Sequence, residues 1–232
     1  MPCTKLLLIS TSTVFGTGYL DHAEHEIREM MGNARRVIFI PYALADRVSY
    51  GNKAVSRFER MEIQCKSIDQ YPDAARALDD ADAVFVGGGN TFRLLKTLYE
   101  LGLVEVIRRR VEQGMIYMGA SAGSNVACPT ICTTNDMPIV EPPTLKALNL
   151  FPCQINPHYV DAQPNSMHMG ETREERLLQY LEENEGPVIG LREGAMLCMK
   201  AGEIHLKGLR GARIFKRNCA PEELAPSAEL NI

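Results

Sequence analysis

The sequence lacks the features that mark several large classes of protein. No stretch approaches the roughly 18 apolar residues that a membrane-spanning helix needs, so no membrane span is predicted. The formal net charge is only −4 over 232 residues, which gives no electrostatic reason to expect a nucleic acid or an anionic membrane as partner. The apolar run near the amino terminus lacks the basic leader and the small-residue cleavage site of a signal peptide, and is predicted to be a buried strand.

The seven cysteines argue against a structural metal site and against a disulfide framework. They are odd in number and scattered, no CxxC pair occurs, and Cys128 and Cys132 have no second pair or nearby histidine to complete a zinc site. Neither a structural metal nor a disulfide framework is therefore expected, and no cofactor is predicted. Reduced thiols favour a cytoplasmic location.

Short apolar runs alternate with longer polar stretches of helical periodicity. Runs of strand length lie at residues 6–9, 36–41, 63–68, 83–87, 115–118 and 188–191. Helices are predicted at residues 20–31, 52–61, 72–78, 91–101, 104–113 and 172–183. Strands that alternate with helices of this length predict an α/β fold, with a mostly parallel sheet covered on both faces, in a single domain over residues 1–232.

The second half of the chain is less regular. Residues 195–200 and 203–206 are predicted to form a hairpin, and residues 220–232 are expected to be a loose tail.

A candidate nucleophile lies in Gly119-Ala-Ser-Ala-Gly, which fits the G-x-S-x-G nucleophile elbow. The motif needs a strand before it and a helix after it, and here four apolar residues precede Ser121 while small residues follow. Glycines on both sides allow the two backbones to approach closely. An incidental serine in a glycine-rich turn is the alternative, and the position after a strand favours the nucleophile.

A second glycine-rich segment, Gly87-Gly-Gly-Asn-Thr, follows another apolar run. The backbone N–H groups of Gly88 and Gly89, together with that of Ala122, are predicted to form an oxyanion hole. A phosphate-binding loop is one alternative, but the segment has no P-loop lysine and does not match G-x-G-x-x-G. A plain tight turn is the other.

His158 is the predicted general base among the five histidines. It stands in Ile155-Asn-Pro-His-Tyr, in a predicted loop at the end of a short apolar run, where Pro157 would fix the backbone. Imidazole titrates near neutrality and can therefore accept the serine proton and return it to a leaving amine. A carboxylate should orient the ring, and both Asp136 and Glu193 are candidates, because triads are defined by geometry and not by chain order.

Six segments taken together resemble the peptidase E family of α-aspartyl dipeptidases, which has cyanophycinase-like relatives. They occur in order from about residue 6 to about residue 215: Gly87-Gly-Gly-Asn-Thr, Gly119-Ala-Ser-Ala-Gly, Thr134-Asn-Asp-Met-Pro, Asn156-Pro-His-Tyr, Gly170-Glu-Thr-Arg and Gly190-Leu-Arg-Glu-Gly.

The resemblance implies a three-layer, flavodoxin-like α/β sandwich related to class I glutamine amidotransferases. It implies metal-independent hydrolysis of dipeptides with an N-terminal aspartate, with Ser121 as nucleophile and His158 as base. The third residue of the family's triad matches either Asp136 or Glu193, and Asp136 is preferred here. A small peptide is the expected partner, and either a monomer or a homodimer is compatible with the sequence.

The resemblance also assigns Arg173 to the acidic side chain of the substrate, which a guanidinium can bind through two parallel hydrogen bonds. Asn90, in the glycine-rich segment, is assigned to the substrate as well. From the sequence alone, an ion pair between Arg173 and Glu174 or Glu175 on a solvated helix is the more ordinary interpretation.

Two rival functions remain open at this point. One is another acyl hydrolase on the same scaffold, such as an esterase or an isoaspartyl peptide hydrolase. The other is a non-catalytic binding protein, which is disfavoured because the serine, the histidine and both carboxylates are present. A glutamine amidotransferase is not expected, since its nucleophile is a cysteine.

Overall fold

The computed structural model describes residues 4–162, 167 and 169–230. Within them, the helices are α1 (Glu24–Met31), α2 (Arg47–Arg60), α3 (Thr91–Glu100), α4 (Leu103–Glu112), α5 (Ala122–Ala127) and α6 (Arg173–Glu183). The strands are β1 (Lys5–Ile9), β2 (Arg36–Ile40), β3 (Gln64–Ser67), β4 (Ala83–Val86), β5 (Ile116–Ala120), β6 (Gln154–Tyr159), β7 (Val188–Arg192), β8 (Ala195–Lys200), β9 (Glu203–Gly208), β10 (Ala212–Phe215), β11 (Glu222–Leu224) and β12 (Glu229–Leu230).

A large sheet with the strand order β12-β9-β8-β1-β5-β4-β2-β3 forms the centre of the fold. The five strands from β1 to β3 along this order pair in parallel, while β8, β9 and β12 are antiparallel. Four of these five strands, β1, β2, β4 and β5, are nearly continuous apolar runs because both of their faces are buried, whereas β3 at the edge alternates exposed and buried residues.

Alternate side chains of the central strands enter two separate cores. Leu6 and Leu8 of β1 pack with residues of α3, α4 and α5 on one face. Leu7 and Ile9 pack with residues of α1 and α2 on the other face. Helices therefore cover both faces, and the predicted three-layer α/β sandwich with a mostly parallel sheet is confirmed.

Three parallel neighbours, β4, β5 and β1, end at the same edge of this sheet. Gly87, Ser121 and Ser10 are the residues that follow their carboxyl ends. In open α/β sheets this edge is where ligands bind.

A second, four-stranded sheet has the order β11-β10-β7-β6 and carries α6. The sequence did not predict it. The expectation of a loose tail at residues 220–232 is also corrected, because β11 pairs with β10 in this sheet and β12 pairs with β9 in the large sheet. The predicted hairpin of β8 and β9 is present.

Two helix predictions need correction. The helix predicted at 52–61 begins at Arg47, because the carboxylate of Asp46 accepts a hydrogen bond from the Ser49 N–H and caps it. The helix predicted at 72–78 is only one turn of 3₁₀ helix, Arg76–Leu78. Among the helices in the described part of the chain, none is both long and apolar enough to cross a bilayer.

Candidate active site

Ser121 stands in a sharp turn between β5 and α5, with φ 53° and ψ −110°. This backbone conformation is strained for a residue with a side chain. Close backbone contacts leave no room for a side chain at either flanking glycine. A Cβ on Gly123 would lie 2.1 Å from the Val86 carbonyl oxygen, and a Cβ on Gly119 would lie 2.5 Å from the backbone of Gly123. The G-x-S-x-G pattern therefore reflects steric necessity at both glycines.

His158 lies within β6, at φ 53°, where the register with β7 shifts between Pro157 and Tyr159. The prediction of a loop at this position is therefore wrong. Proline is tolerated because β6 is an edge strand and needs no ladder donor on its outer side. The left-handed residue turns the ring toward the large sheet, and His158 Nε2 lies 2.9 Å from Ser121 Oγ.

Ser10, which the sequence analysis missed, holds this strand in place. Its hydroxyl accepts a hydrogen bond from the His158 N–H at 2.9 Å and donates one to the Leu191 carbonyl at 2.8 Å. Ser10 is fully buried and follows β1, so it links the large sheet to β6 and β7. Its position at the carboxyl end of an apolar strand was the signal that could have identified it.

The carboxylate that contacts the imidazole belongs to Glu193, in the turn between β7 and β8. Glu193 Oε1 lies 2.7 Å from His158 Nδ1. Glu193, His158 and Ser121 thus form a continuous hydrogen-bonded chain. A carboxylate in this position favours the tautomer with the proton on Nδ1, which leaves Nε2 free to accept the serine proton.

Asp136 does not contact His158, so the preference for Asp136 as the orienting residue is corrected. Its Oδ2 accepts hydrogen bonds from the Thr91 N–H at 2.7 Å, the Thr91 hydroxyl at 2.6 Å and the Thr134 hydroxyl at 3.2 Å. The carboxylate therefore caps the first turn of α3, where unpaired N–H groups attract negative charge.

The glycine-rich loop after β4 packs directly against the serine. A Cβ on Gly88 would lie 3.0 Å from Ser121 Cβ. The Gly88 N–H, however, donates to the hydroxyl of Tyr50 at 2.9 Å, which removes it from the predicted oxyanion donors. The N–H groups of Gly89 and Ala122 have no hydrogen-bond partner among the described residues and remain available.

Tyr50, on α2, is a second residue that sequence reasoning missed. Its ring fills the space that a side chain on Gly87 would need, since a Cβ there would lie 2.6 Å from the hydroxyl oxygen. Burial raises the pKa of the Tyr50 hydroxyl. No local sequence signal marks this tyrosine, because its role depends on a contact between α2 and a loop 37 residues later.

Arg173 is the first residue of α6 and is partly buried. Neither neighbouring carboxylate pairs with it: Glu174 pairs with Arg213, and Glu175 completes a capping box with Thr172. The ordinary interpretation of Arg173 as half of a helix-surface ion pair is therefore wrong. Within the described residues, no carboxylate lies within ion-pair distance of its guanidinium.

Burial lowers the pKa of Arg173 and the charge of Arg176 adds to this effect, whereas the carboxylate of Asp136 opposes it. Arg173 and Asp136 therefore lie close enough for the charge of the carboxylate to act on the guanidinium.

Asn90, assigned to the substrate by resemblance, has another function in the structure. Its Oδ1 accepts a hydrogen bond from the Arg93 N–H at 3.0 Å and caps α3, while its Nδ2 donates to the Met137 carbonyl at 2.8 Å. These two bonds occupy both ends of the amide, so the substrate role of Asn90 gains no support from the geometry.

A pocket of about 550 Å³ opens over the serine. Ser121, His158 and Gly89 line it together with Tyr50 and other residues of α2. Another cavity, of about 640 Å³, lies beside β3 and contains none of the predicted site residues. The candidate active site is therefore the 550 Å³ pocket, which Ser121 and His158 line.

Known proteins resemble this chain over nearly its whole length. The family model for peptidase family S51 matches residues 6–207. The chain belongs to peptidase family S51. A Streptomyces coelicolor protein named Peptidase E is 50% identical over 227 residues, which cover 98% of this chain and 93% of that protein. A Drosophila melanogaster protein named "Probable alpha-aspartyl dipeptidase" is 44% identical over 229 residues, which cover 97% of this chain and 95% of that protein.

The family inferred from the six motifs is thus confirmed. Among solved structures, a peptidase from an acI-B1 actinobacterium superposes with a TM-score of 0.72 over 99% of this chain and 97% of that chain. Its sequence identity is 16%, so this similarity supports the fold alone.

Proposed function

We propose that this S51 peptidase is a serine dipeptidase that releases N-terminal aspartate through an acyl-enzyme. The observation that carries the proposal is the hydrogen-bonded chain from Ser121 Oγ through the His158 ring to Glu193, beside the N–H groups of Gly89 and Ala122, which have no partner among the described residues. The relatives named Peptidase E and alpha-aspartyl dipeptidase support the substrate class.

In this mechanism, Ser121 Oγ attacks the scissile carbonyl carbon while His158 Nε2 takes the hydroxyl proton. The N–H groups of Gly89 and Ala122 donate to the oxygen as it becomes negative. Nε2 then gives its proton to the leaving amine, and a water attacks the acyl-enzyme by the same route in reverse. Glu193 stabilises the imidazolium that forms in both steps.

Recognition of N-terminal aspartate requires a cation for the side chain and an anion for the free ammonium. Arg173 supplies a guanidinium that has no ion-pair partner among the described residues. Asp136 uses Oδ2 to cap α3, while its Oδ1 makes no hydrogen bond within the same residues. We assign Arg173 to the side-chain carboxylate and Asp136 to the ammonium.

The test is release of free amino acid from Asp-Leu, Leu-Leu and an isoaspartyl dipeptide in the presence of EDTA, for the wild type and Ser121→Ala. Cleavage of Asp-Leu alone, with loss of about 10³-fold or more in kcat in the variant, is expected because Ser121 Oγ is the hydroxyl that bonds His158 Nε2 among the described residues. Equal activity of the variant, or cleavage of the isoaspartyl peptide instead, would contradict the proposal.

Arg173→Met tests the specificity assignment. The kcat/KM for Asp-Leu should fall about a hundredfold, because charge-assisted hydrogen bonds to the substrate carboxylate are lost, while the low activity on Leu-Leu should not change. Arg176→Met is the matched control, since Arg176 lies on the same helix and faces Glu171 at 3.6 Å. Equal losses on both substrates would refute the assignment.

A further inference from the structure

One face of α2 forms a wall of the pocket over the serine. The wall consists of the helix cap, Asp46, and of Ser49, Tyr50 and Lys53. These three residues follow Asp46 by three, four and seven positions, which places all four on one side of the helix. Lys53 is the one lysine or arginine among the described residues that line this pocket.

The ammonium group of Lys53 has no anionic partner in the described part of the chain. Its Nζ lies 4.7 Å from the centroid of the Tyr19 ring, and no carboxylate oxygen lies within 4 Å. Lys200, by comparison, pairs with Glu29 at 2.7 Å. The other charged wall residue, Asp46, is engaged at the cap of α2. Lys53 therefore holds a positive charge over an aromatic face, free to meet an anion that enters the pocket.

The direction of the proposed reaction determines which part of the substrate enters. His158 Nε2 must reach the leaving nitrogen to protonate it, so the leaving residue lies where the imidazole opens into this pocket. Arg173 and Asp136, assigned to the first residue, do not line it. In a dipeptide the terminal carboxylate carbon is only two bonds, about 2.5 Å, from the leaving nitrogen.

We infer that Lys53 binds the α-carboxylate of the leaving residue and thereby limits this enzyme to dipeptides with a free carboxyl end. The inference deepens the proposed function and rests on it. Each further residue would move the carboxylate about 3.5 Å away from its position in a dipeptide. The fixed position of Lys53 therefore selects substrates of dipeptide length. Its flexible side chain supplies a point charge, which needs no fixed orientation of the carboxylate.

The experiment compares Asp-Leu with Asp-leucinamide, which differ only in the terminal charge, for the wild type and Lys53→Met. In the wild type, kcat/KM should be about tenfold higher for the free acid, chiefly through KM. In Lys53→Met the value for the free acid should fall to that of the amide, and the amide should be unaffected. Lys53→Arg should keep most of the preference.

Lys66→Met is the matched control. Lys66 is exposed and also lies over a tyrosine ring, 6.0 Å from the centroid of Tyr71, but it is outside the pocket. Its variant should retain the wild-type preference for the free acid.

Three results would overturn the inference. The wild type could cleave both compounds equally, Lys53→Met could lower both by the same factor, or Lys53→Met could lose discrimination between Asp-Leu and Asn-Leu, which would place Lys53 at the first residue. Cleavage of Asp-Leu with any of these results leaves the dipeptidase proposal standing. No cleavage of Asp-Leu by the wild type would reject the dipeptidase proposal and this inference together.

Discussion

The large sheet and the small sheet hold their parts of the site in different ways. Ser121 and the glycine-rich loop follow β5 and β4, and the parallel direction of these neighbours is enough to bring them together. His158 comes from an edge strand of the small sheet, where a left-handed residue and a register shift aim the ring. Close backbone contacts at glycines fix the first part, whereas side-chain hydrogen bonds from Ser10 and Glu193 fix the second.

This difference explains why the glycines on the large-sheet side form a recognisable pattern. At Gly119 and Gly123 the backbone of another segment occupies the space of a side chain, so only glycine fits. On the small-sheet side, one buried hydroxyl on Ser10 joins His158 to Leu191. A single serine at such a position leaves no repeating pattern in the sequence.

The largest effect is expected from Gly123→Ala, which disrupts the part of the site that the large sheet holds. The new Cβ would overlap the Val86 carbonyl oxygen, and relief requires movement of β4 or α5, at a cost of at least about 3 kcal/mol in the free energy of unfolding. Thermal and urea unfolding would measure it, and hydrolysis should be lost with it.

Gly102→Ala is the control for this comparison. Gly102 has φ 64° but open space around its Cβ position, so only a left-handed backbone penalty of about 1 kcal/mol is expected. Equal costs for the two variants would show that the contact with Val86 is not decisive.

An intermediate effect is expected from Ser10→Ala, which removes the hydroxyl that joins the large sheet to β6 and β7. The variant leaves a partly buried N–H and a buried carbonyl without their partner, so stability should fall by about 2 kcal/mol and kcat should fall with it, because the His158 backbone is released. Ser67→Ala is the control, since the buried Ser67 hydroxyl has no partner among the described residues. If Ser10→Ala kept full kcat, the proposed link would not position the base.

The smallest effect is expected from Tyr50→Phe. The Gly88 N–H loses its acceptor, the loop that carries Gly89 gains freedom, and kcat should fall about threefold with little change in KM. Tyr99→Phe is the control, since the Tyr99 hydroxyl also bonds a backbone group, the Lys146 carbonyl, but lies outside the pocket. A wild-type kcat for Tyr50→Phe would remove Tyr50 from the positioning of the oxyanion hole.

Much of the large-sheet part was predictable from the sequence. Apolar runs located β1, β2, β4 and β5, and the steric demands of the elbow located Ser121. The carboxylate beside His158 was not predictable, because Asp136 and Glu193 have equal chemistry and only the fold decides which one reaches the ring.

The competing interaction explains the wrong preference. Asp136 lies beside the unpaired N–H groups that begin α3, and a carboxylate is stabilised there independently of any catalytic role. Glu193 reaches His158 because the turn after β7 brings it beside β6. The small sheet was missed because several of its strands are not apolar runs: β6 contains Gln154, Asn156 and Pro157, and β11 contains two glutamates.

Glu193 is the residue that orients His158 in the proposed mechanism. The decisive measurement is kcat for Asp-Leu at saturation in Glu193→Gln and Asp136→Asn. We expect Glu193→Gln to lower kcat about a hundredfold, less than the loss known for a fully buried triad carboxylate because 55% of the Glu193 side chain is exposed. Asp136→Asn should raise KM and leave kcat within about fivefold of the wild type. A large fall in kcat for Asp136→Asn, with near wild-type kcat for Glu193→Gln, would contradict the triad described above.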